Sequence, residues 1–246
     1  LIVLRSAPLH VGQILSDGLF CQKDSVILTG DTLSIGGNFE YLKSRLGLKN
    51  AIELTLETSS EYLNAAMIYL PSDIPEPGTD GYQAAVGKAL VPLCRAIQGR
   101  CLIMCTSHSS LRATQAAIQK VLEEDDILVL GQGVDGSPRR ILSTFRSNPK
   151  TVLLVTTGFW KTVDAVGEAL SVLVMVRLPF NVPTDPIFAA RSETFEDPFN
   201  EYAVPQAAFK FKQGFGMLTR STNDRRVMVV LDRRLSTRSY GHILLK

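Results

Sequence analysis

Short apolar runs separated by longer amphipathic stretches set the rhythm of this chain. Ser25–Leu28 is the first run, breaking at Thr29-Gly30-Asp31-Thr32. Ala51–Glu57 alternates apolar and polar positions as a half-buried strand does, and Ala66–Leu70 is a further strand signal. From Cys101 onward the alternation is regular. Cys101–Cys105, Ile127–Leu130, Thr151–Val155, Leu170–Val176 and Val227–Leu231 read as strands. Between them the spacing predicts helices. One is capped by Asn38 and runs to about Leu46, ended by Gly47. A second starts at Thr79 or Asp80 and runs to about Ile97, with Pro92 expected to kink or stop it. A third follows Thr106-Ser107-His108-Ser109 to about Glu123, and a fourth covers Pro138 to Phe145. One or two helices then carry the chain to Ser221.

Continuous apolar strands interleaved with helices indicate an α/β fold with a mostly parallel sheet covered by helices on both faces. In such sheets ligands gather at the carboxyl ends of the strands. The loops at Thr29, Thr106, Gln132, Thr156 and Arg177 are expected at that rim. Pro71–Gly81, rich in proline and glycine, reads as a loop.

One helical stretch carries unusual chemistry. Within Lys212–Arg220, Gln213, Gly216, Met217 and Arg220 share one face, and Phe211, Phe215 and Leu218 the other. Glycines inside a helix cost about 1 kcal/mol each relative to alanine, which suits a face pressed against a partner or ligand. Gln offers a donor and an acceptor, and Arg a forked cation suited to phosphate.

Composition narrows the class. The 246 residues are 45% hydrophobic and 20% charged, as in ordinary globular chains. No apolar run approaches the roughly 20 residues that span a bilayer, so no membrane partner is expected. The net charge is +2, unevenly spread. From Lys210 to the end there are nine Lys/Arg against two Asp/Glu, which leaves 17 against 22 elsewhere. A basic terminal segment on an acidic body is compatible with a polyanion-binding face. Cys21, Cys94, Cys101 and Cys105 show neither C-x-x-C pairing nor a nearby His pattern. Free thiols in a reducing, cytoplasmic compartment and no metal site are the expectation. The chain opens at Leu1 without a basic leader or initiator Met, and a fragment of a longer protein is expected. No G-x-x-x-x-G-K-[ST] phosphate loop occurs. The chain can supply only part of a nucleotide site and should be inactive alone.

Taken in order, the motifs resemble the C-terminal motor domain of DinG/XPD-like superfamily 2 DNA helicases. The matching blocks are V-I-L-T-G-D-T-L-S (Val26–Ser34), C-L-I-M-C-T-S-H-S-S-L (Cys101–Leu111) and the run from Gln132-Gly133 to Phe145-Arg146. V-L-L-V-T-T-G-F-W-K-T-V-D (Val152–Asp164), G-E-A-L (Gly167–Leu170) and R-L-P-F-N-V-P-T-D-P (Arg177–Pro186) follow. Q-G-F-G-M-L-T-R-S (Gln213–Ser221) and Asp232–Arg234 come last.

The resemblance implies a RecA-like three-layer lobe over residues 1–246. Its partner, an N-terminal motor lobe of the same polypeptide that holds most contacts to ATP and Mg2+, is absent from this chain. It implies that Arg220 is an arginine finger on the γ-phosphate, with Gln213 bracing the phosphates on the same helix face as Gly216, and Asp164 contacting the ribose or the finger. Single-stranded or forked DNA would be held by Thr29, Thr106, Ser107, His108 and Thr157, with Phe159 and Trp160 stacking on bases.

Four positions depart from the family pattern. Met217 stands where members carry Arg, Lys161-Thr162 where Glu-Gly is common, and Gly30-Asp31 where Ser-Ala or Ser-Gly is usual. Arg226 stands where a Gly follows Asp224-Arg225. These departures leave an alternative open: a catalytically degenerate lobe serving as a nucleic-acid-binding or scaffolding module. An unrelated parallel-sheet enzyme acting on a small molecule is the third possibility, and it would show an enclosed apolar pocket at the strand ends.

Overall fold

The computed structural model describes residues 4, 6–30, 32–56, 66–159, 169–219 and 226–245. In chain order its main elements are α1 (Gly12–Gly18), α2 (Glu40–Leu46), β1 (Ala66–Tyr69), α3 (Tyr82–Ile97), β2 (Cys101–Cys105), α4 (His108–Glu123) and β3 (Leu128–Gly131). They continue with α5 (Pro138–Ser147), β4 (Thr151–Thr156), β5 (Val172–Met175), α6 (Pro186–Ser192), α7 (Val204–Leu218), β6 (Arg226–Val230), α8 (Arg234–Thr237) and α9 (Gly241–Leu245). Two compact units divide the chain. One comprises Leu1–Glu57, Phe180–Gln213 and His242–Lys246, the other Thr58–Pro179 and Gly214–Gly241.

The second unit holds a six-stranded sheet in the order β1-β6-β5-β2-β4-β3, every neighbouring pair parallel. The apolar runs explain why. Every residue of β2, β4 and β5 is buried, so neither face of those strands meets water. Cys101, Ile103, Cys105, Val152, Leu154, Val172 and Val174 join Val86, Leu90 and Cys94 of α3 and Leu111, Ile118 and Leu122 of α4 in one core cluster. The alternate residues Leu102, Met104, Leu153, Val155, Leu173 and Met175 are buried too. The expected α/β architecture, a parallel sheet with helices packed against it, is therefore what the chain forms.

Local chemistry sets the helix boundaries. Ser107 caps α4 by accepting the Ser110 N–H, and Ser137 caps α5 by accepting the Arg140 N–H. The N-cap of α3 is Gly81, not Thr79 or Asp80. Pro92 neither stops α3 nor shortens it, since the helix runs to Ile97. Pro92 removes the intrahelical donor of the Lys88 carbonyl, and both residues are exposed. At Gly87 an added Cβ would lie 3.2 Å from Ala117 Cβ, which lets α3 and α4 pack closely.

The first unit is built on aromatic contacts. Phe188 and Phe195 each lie with ring centroids 5.1 Å from Tyr202. The Arg45 guanidinium of α2 sits 5.4 Å from the Tyr202 centroid, within cation–π range. As expected, Gly47 ends α2 in the left-handed region at φ 71°. Two strand expectations fail in this unit. Ser25–Leu28 and Ala51–Leu56 are irregular and exposed, with Ile27 at 87% and Ile52 fully open to solvent. Glu57 lies outside the described residues. Apolar alternation makes a strand only where a neighbouring strand takes its N–H and C=O groups, and the described residues supply none here.

Candidate functional site

The carboxyl edge of the sheet gathers the polar loops. Cys105 pairs with Thr156 across β2 and β4, so the residues that follow, Thr106 and Thr157, leave adjacent strands about 4.8 Å apart. Thr106 and Thr157 are half-buried, while Ser107 and His108 are exposed. Ser107 commits its hydroxyl to capping α4, where it also meets the Ser109 hydroxyl at 2.9 Å. The opening turn of this 16-residue helix adds backbone N–H groups and the positive end of the helix dipole to the same edge.

A second tier of polar residues fixes this edge. Gln132 Oε1 accepts both the Thr156 N–H at 2.8 Å and the Thr156 hydroxyl at 3.0 Å. Asp135 Oδ2 accepts the Gly131 N–H at 2.6 Å and Gln115 Nε2–H at 2.7 Å. The loop after β3 is thereby tied to both β4 and α4. His108 Cε1 lies 3.8 Å from where a Cβ at Gly133 would stand, so the α4 start and the β3 loop meet. After β5, the Arg177 guanidinium stacks 5.2 Å from the Tyr82 ring centroid, and the Tyr82 hydroxyl donates to the Val176 carbonyl. Gln115, Asp135 and Tyr82 were not singled out from sequence. Gln and Asp inside a helix and a loop carry no periodic signal, and only the tertiary contact reveals them.

The structure brings Thr106, Ser107, His108 and Thr157 together within one unit. Thr29 belongs to the other unit and follows no strand. Phe159 is 3% exposed and packs into the protein, where it offers no face to a base. Trp160, Asp164 and Arg220 lie outside the described residues, as do Asp31, Lys161 and Thr162.

The helix with the unusual glycines is α7. Gln213 and Gly216 are half-buried, one turn apart. Phe211 and Leu218 are buried as expected, but Met217, placed by register on the open face, is 4% exposed. α7 ends and β6 begins at the amino edge of the parallel sheet, opposite the polar rim. There the Arg226 guanidinium, 1% exposed, donates to the Met217 carbonyl at 3.5 Å. Among the described residues no group of three His, Cys, Asp or Glu is placed to hold a metal, and no helix is long and apolar enough to cross a membrane.

A profile described as "Helicase C-terminal domain" matches residues 90–246. The chain belongs to this family. Helicase C-terminal domain relatives include a protein of Bacillus subtilis (strain 168) named "3'-5' exonuclease DinG", 31% identical over 99% of this chain and 27% of its own length. The "ATP-dependent DNA helicase YoaA" of Haemophilus influenzae is 33% identical over 99% of this chain and 38% of its own. The "ATP-dependent helicase DinG" of Mycobacterium tuberculosis (strain H37Rv) is 34% identical over 98% of this chain and 37% of its own. This chain thus spans well under half the length of these relatives. A solved structure titled "XPD_Helicase" shares the fold with a TM-score of 0.73 over 96% of this chain and 44% of that one, at 18% identity. The resemblance to the DinG/XPD-like C-terminal helicase domain is borne out.

Proposed function

We propose that this helicase C-terminal domain is the second motor lobe of an ATP-dependent DNA helicase. A preceding lobe of the same polypeptide holds most contacts to ATP and Mg2+. Arg220 reaches the γ-phosphate as charge develops there, Gln213 braces the phosphates beside Gly216, and Asp164 meets the ribose or the finger. One strand of DNA lies along the carboxyl edge of the sheet, its phosphates on the hydroxyls and N–H groups of Thr106, Ser107, His108 and Thr157. Such contacts position a backbone without reading its sequence.

The observation that supports this reading most is the Cys105–Thr156 pairing, which sets two hydroxyl-bearing loops and a helix start side by side on one edge. The names of the relatives point the same way. The test is DNA-stimulated ATP hydrolysis by the full-length protein. Arg220→Ala is expected to lower kcat roughly a thousandfold. Thr106→Ala with Thr157→Ala is expected to weaken binding of single-stranded DNA. Wild-type hydrolysis by Arg220→Ala would overturn the finger assignment.

A second reading, a degenerate lobe that binds DNA without efficient hydrolysis, draws support from the apolar Met217, buried where the family pattern has Arg. Salt-sensitive DNA binding by a wild-type protein that does not turn over ATP would favour it.

A further inference from the structure

Hydroxyls and backbone N–H groups on the carboxyl edge position a phosphate but leave its charge unopposed. Strand register shows which cation stands beside them. Met104 pairs with Met175 across β2 and β5, and the Val176 N–H donates to the Met104 carbonyl at 3.0 Å. Two positions on, Arg177 stands level with Thr106, just as Thr106 stands level with Thr157. The three form one row across adjacent strands, about 10 Å long. A nucleic-acid strand in duplex form carries a phosphate roughly every 3.4 Å, so the row is long enough for more than one.

The surroundings hold Arg177 in place without neutralising it. Its guanidinium lies 5.2 Å from the centroid of Tyr82, a ring 2% exposed and anchored by its hydroxyl on the Val176 carbonyl. An aromatic face attracts a guanidinium and favours one orientation of its plane, yet leaves the charge uncancelled. The backbone is tied on both sides, by the Val176 N–H and by the Leu178 N–H, which donates to Asp232 at 2.9 Å. Asp232 follows β6 at the level of Arg177, but Arg234 takes both its oxygens, at 2.9 and 2.6 Å. Among the described residues Arg177 enters no ion pair, and its buried Nε has no acceptor. A half-buried cation without a carboxylate is costly until an anion arrives.

We infer that Arg177 is the cation that grips the DNA backbone on this edge, its fork closing on a phosphate beside the one held by Thr106 and Thr157. The inference rests on the reading above that a DNA strand lies along the carboxyl edge. The contact is charge-assisted and reads no base, so it governs the salt dependence of binding. Because Tyr82 presets the plane of the fork, a lysine at this position is not equivalent.

The experiment titrates a fluorescent oligothymidylate, followed by anisotropy at several NaCl concentrations, against full-length wild type, Arg177→Gln, Arg177→Lys and Arg95→Gln. Thermal melting is recorded for each. Arg95 pairs with Asp125 near the other end of α3 from Tyr82, so Arg95→Gln controls for the loss of one charge. Each phosphate contact adds about 0.7 to the slope of log affinity against log salt. Arg177→Gln is expected to lose about that much slope and about tenfold in affinity near physiological salt. Arg177→Lys is expected to keep the slope and bind about threefold more weakly. Arg95→Gln keeps both slope and affinity.

A wild-type slope in Arg177→Gln overturns the inference, even where affinity falls, because that pattern marks a purely structural arginine. A slope change no larger than that of Arg95→Gln overturns it as well. If Arg177→Gln does not fold, Arg177→Lys decides: binding as tight as wild type, or a lowered slope, overturns the inference. Thr106→Ala with Thr157→Ala separates the two levels. Weak binding by that pair beside a normal Arg177→Gln removes only Arg177, whereas undiminished binding by the pair, or none by wild type, removes the DNA edge itself.

Discussion

The Asp232 carboxylate accepts the backbone N–H of Leu178 at 2.9 Å, joining the segments that leave β5 and β6. Arg234 grips the same carboxylate with Nε on Oδ1 at 2.9 Å and Nη2 on Oδ2 at 2.6 Å. Asp232 is fully buried, so its removal strands a buried N–H and half of an ion pair. Asp232→Ala is expected to lose about 3–5 kcal/mol of stability. Urea unfolding followed by far-UV circular dichroism measures it, and a loss below 1 kcal/mol would contradict the assigned role.

Gln132 is expected to matter through its oxygen alone. Gln132→Ala leaves the Thr156 N–H and hydroxyl without their acceptor and costs about 1–3 kcal/mol. Gln132→Glu keeps an oxygen that accepts both and should unfold close to wild type at pH 7. If the two variants are equally destabilised, the hydrogen bonds are not the cause. Single-strand DNA binding should fall in Gln132→Ala, because Thr157 loses the anchor of its neighbour.

Alkaline pH is expected to weaken the fold through its phenols. Burial pushes the Tyr82 phenol well above its ordinary value, and burial also raises Tyr41 and Tyr240. The folded chain thus keeps protons that the unfolded chain releases near pH 10. Between those limits the unfolded state binds fewer protons, so stability falls as pH rises; below pH 9 these groups contribute no slope. Tyr82 alone adds up to about 1.4 kcal/mol per pH unit. Unfolding midpoints measured from pH 8 to 11 should bend downward near 10, and Tyr82→Phe should bend less.

Thiol labelling should separate one cysteine from three. Cys21 is exposed, whereas Cys94, Cys101 and Cys105 are buried. Burial pushes the Cys105 thiol up to about 11, and the hydrogen bond with Cys94, together with burial, raises the Cys101 thiol above its usual value. A disulfide reagent at pH 8 is expected to modify Cys21 rapidly and the others only after denaturant is added. Rapid loss of a second thiol would show that α3 or β2 opens readily.

The central strands were legible because burial on both faces writes an unbroken apolar run. Cys101–Cys105 is that case, and the sequence boundaries match the structure at both ends. Ser25–Leu28 carries the same signal and forms no strand, because pairing depends on a neighbour that a local pattern does not encode. The helix following the Thr106–Ser109 turn was legible from its spacing, although it begins at His108, inside that turn, on the Ser107 cap. Phe159 was misassigned because an aromatic residue after a strand looks the same whether it faces solvent or core. The meeting of Met217 with Arg226 was out of reach. Nine positions apart along the chain, they are joined only by the return from helix to strand.

A common direction for all six strands gives the sheet two unlike ends, a hydroxyl-lined one and one where a buried guanidinium waits. Close-packed interiors compress little. A force applied at one end would therefore arrive at the other as movement of the whole slab, with little lost to bending.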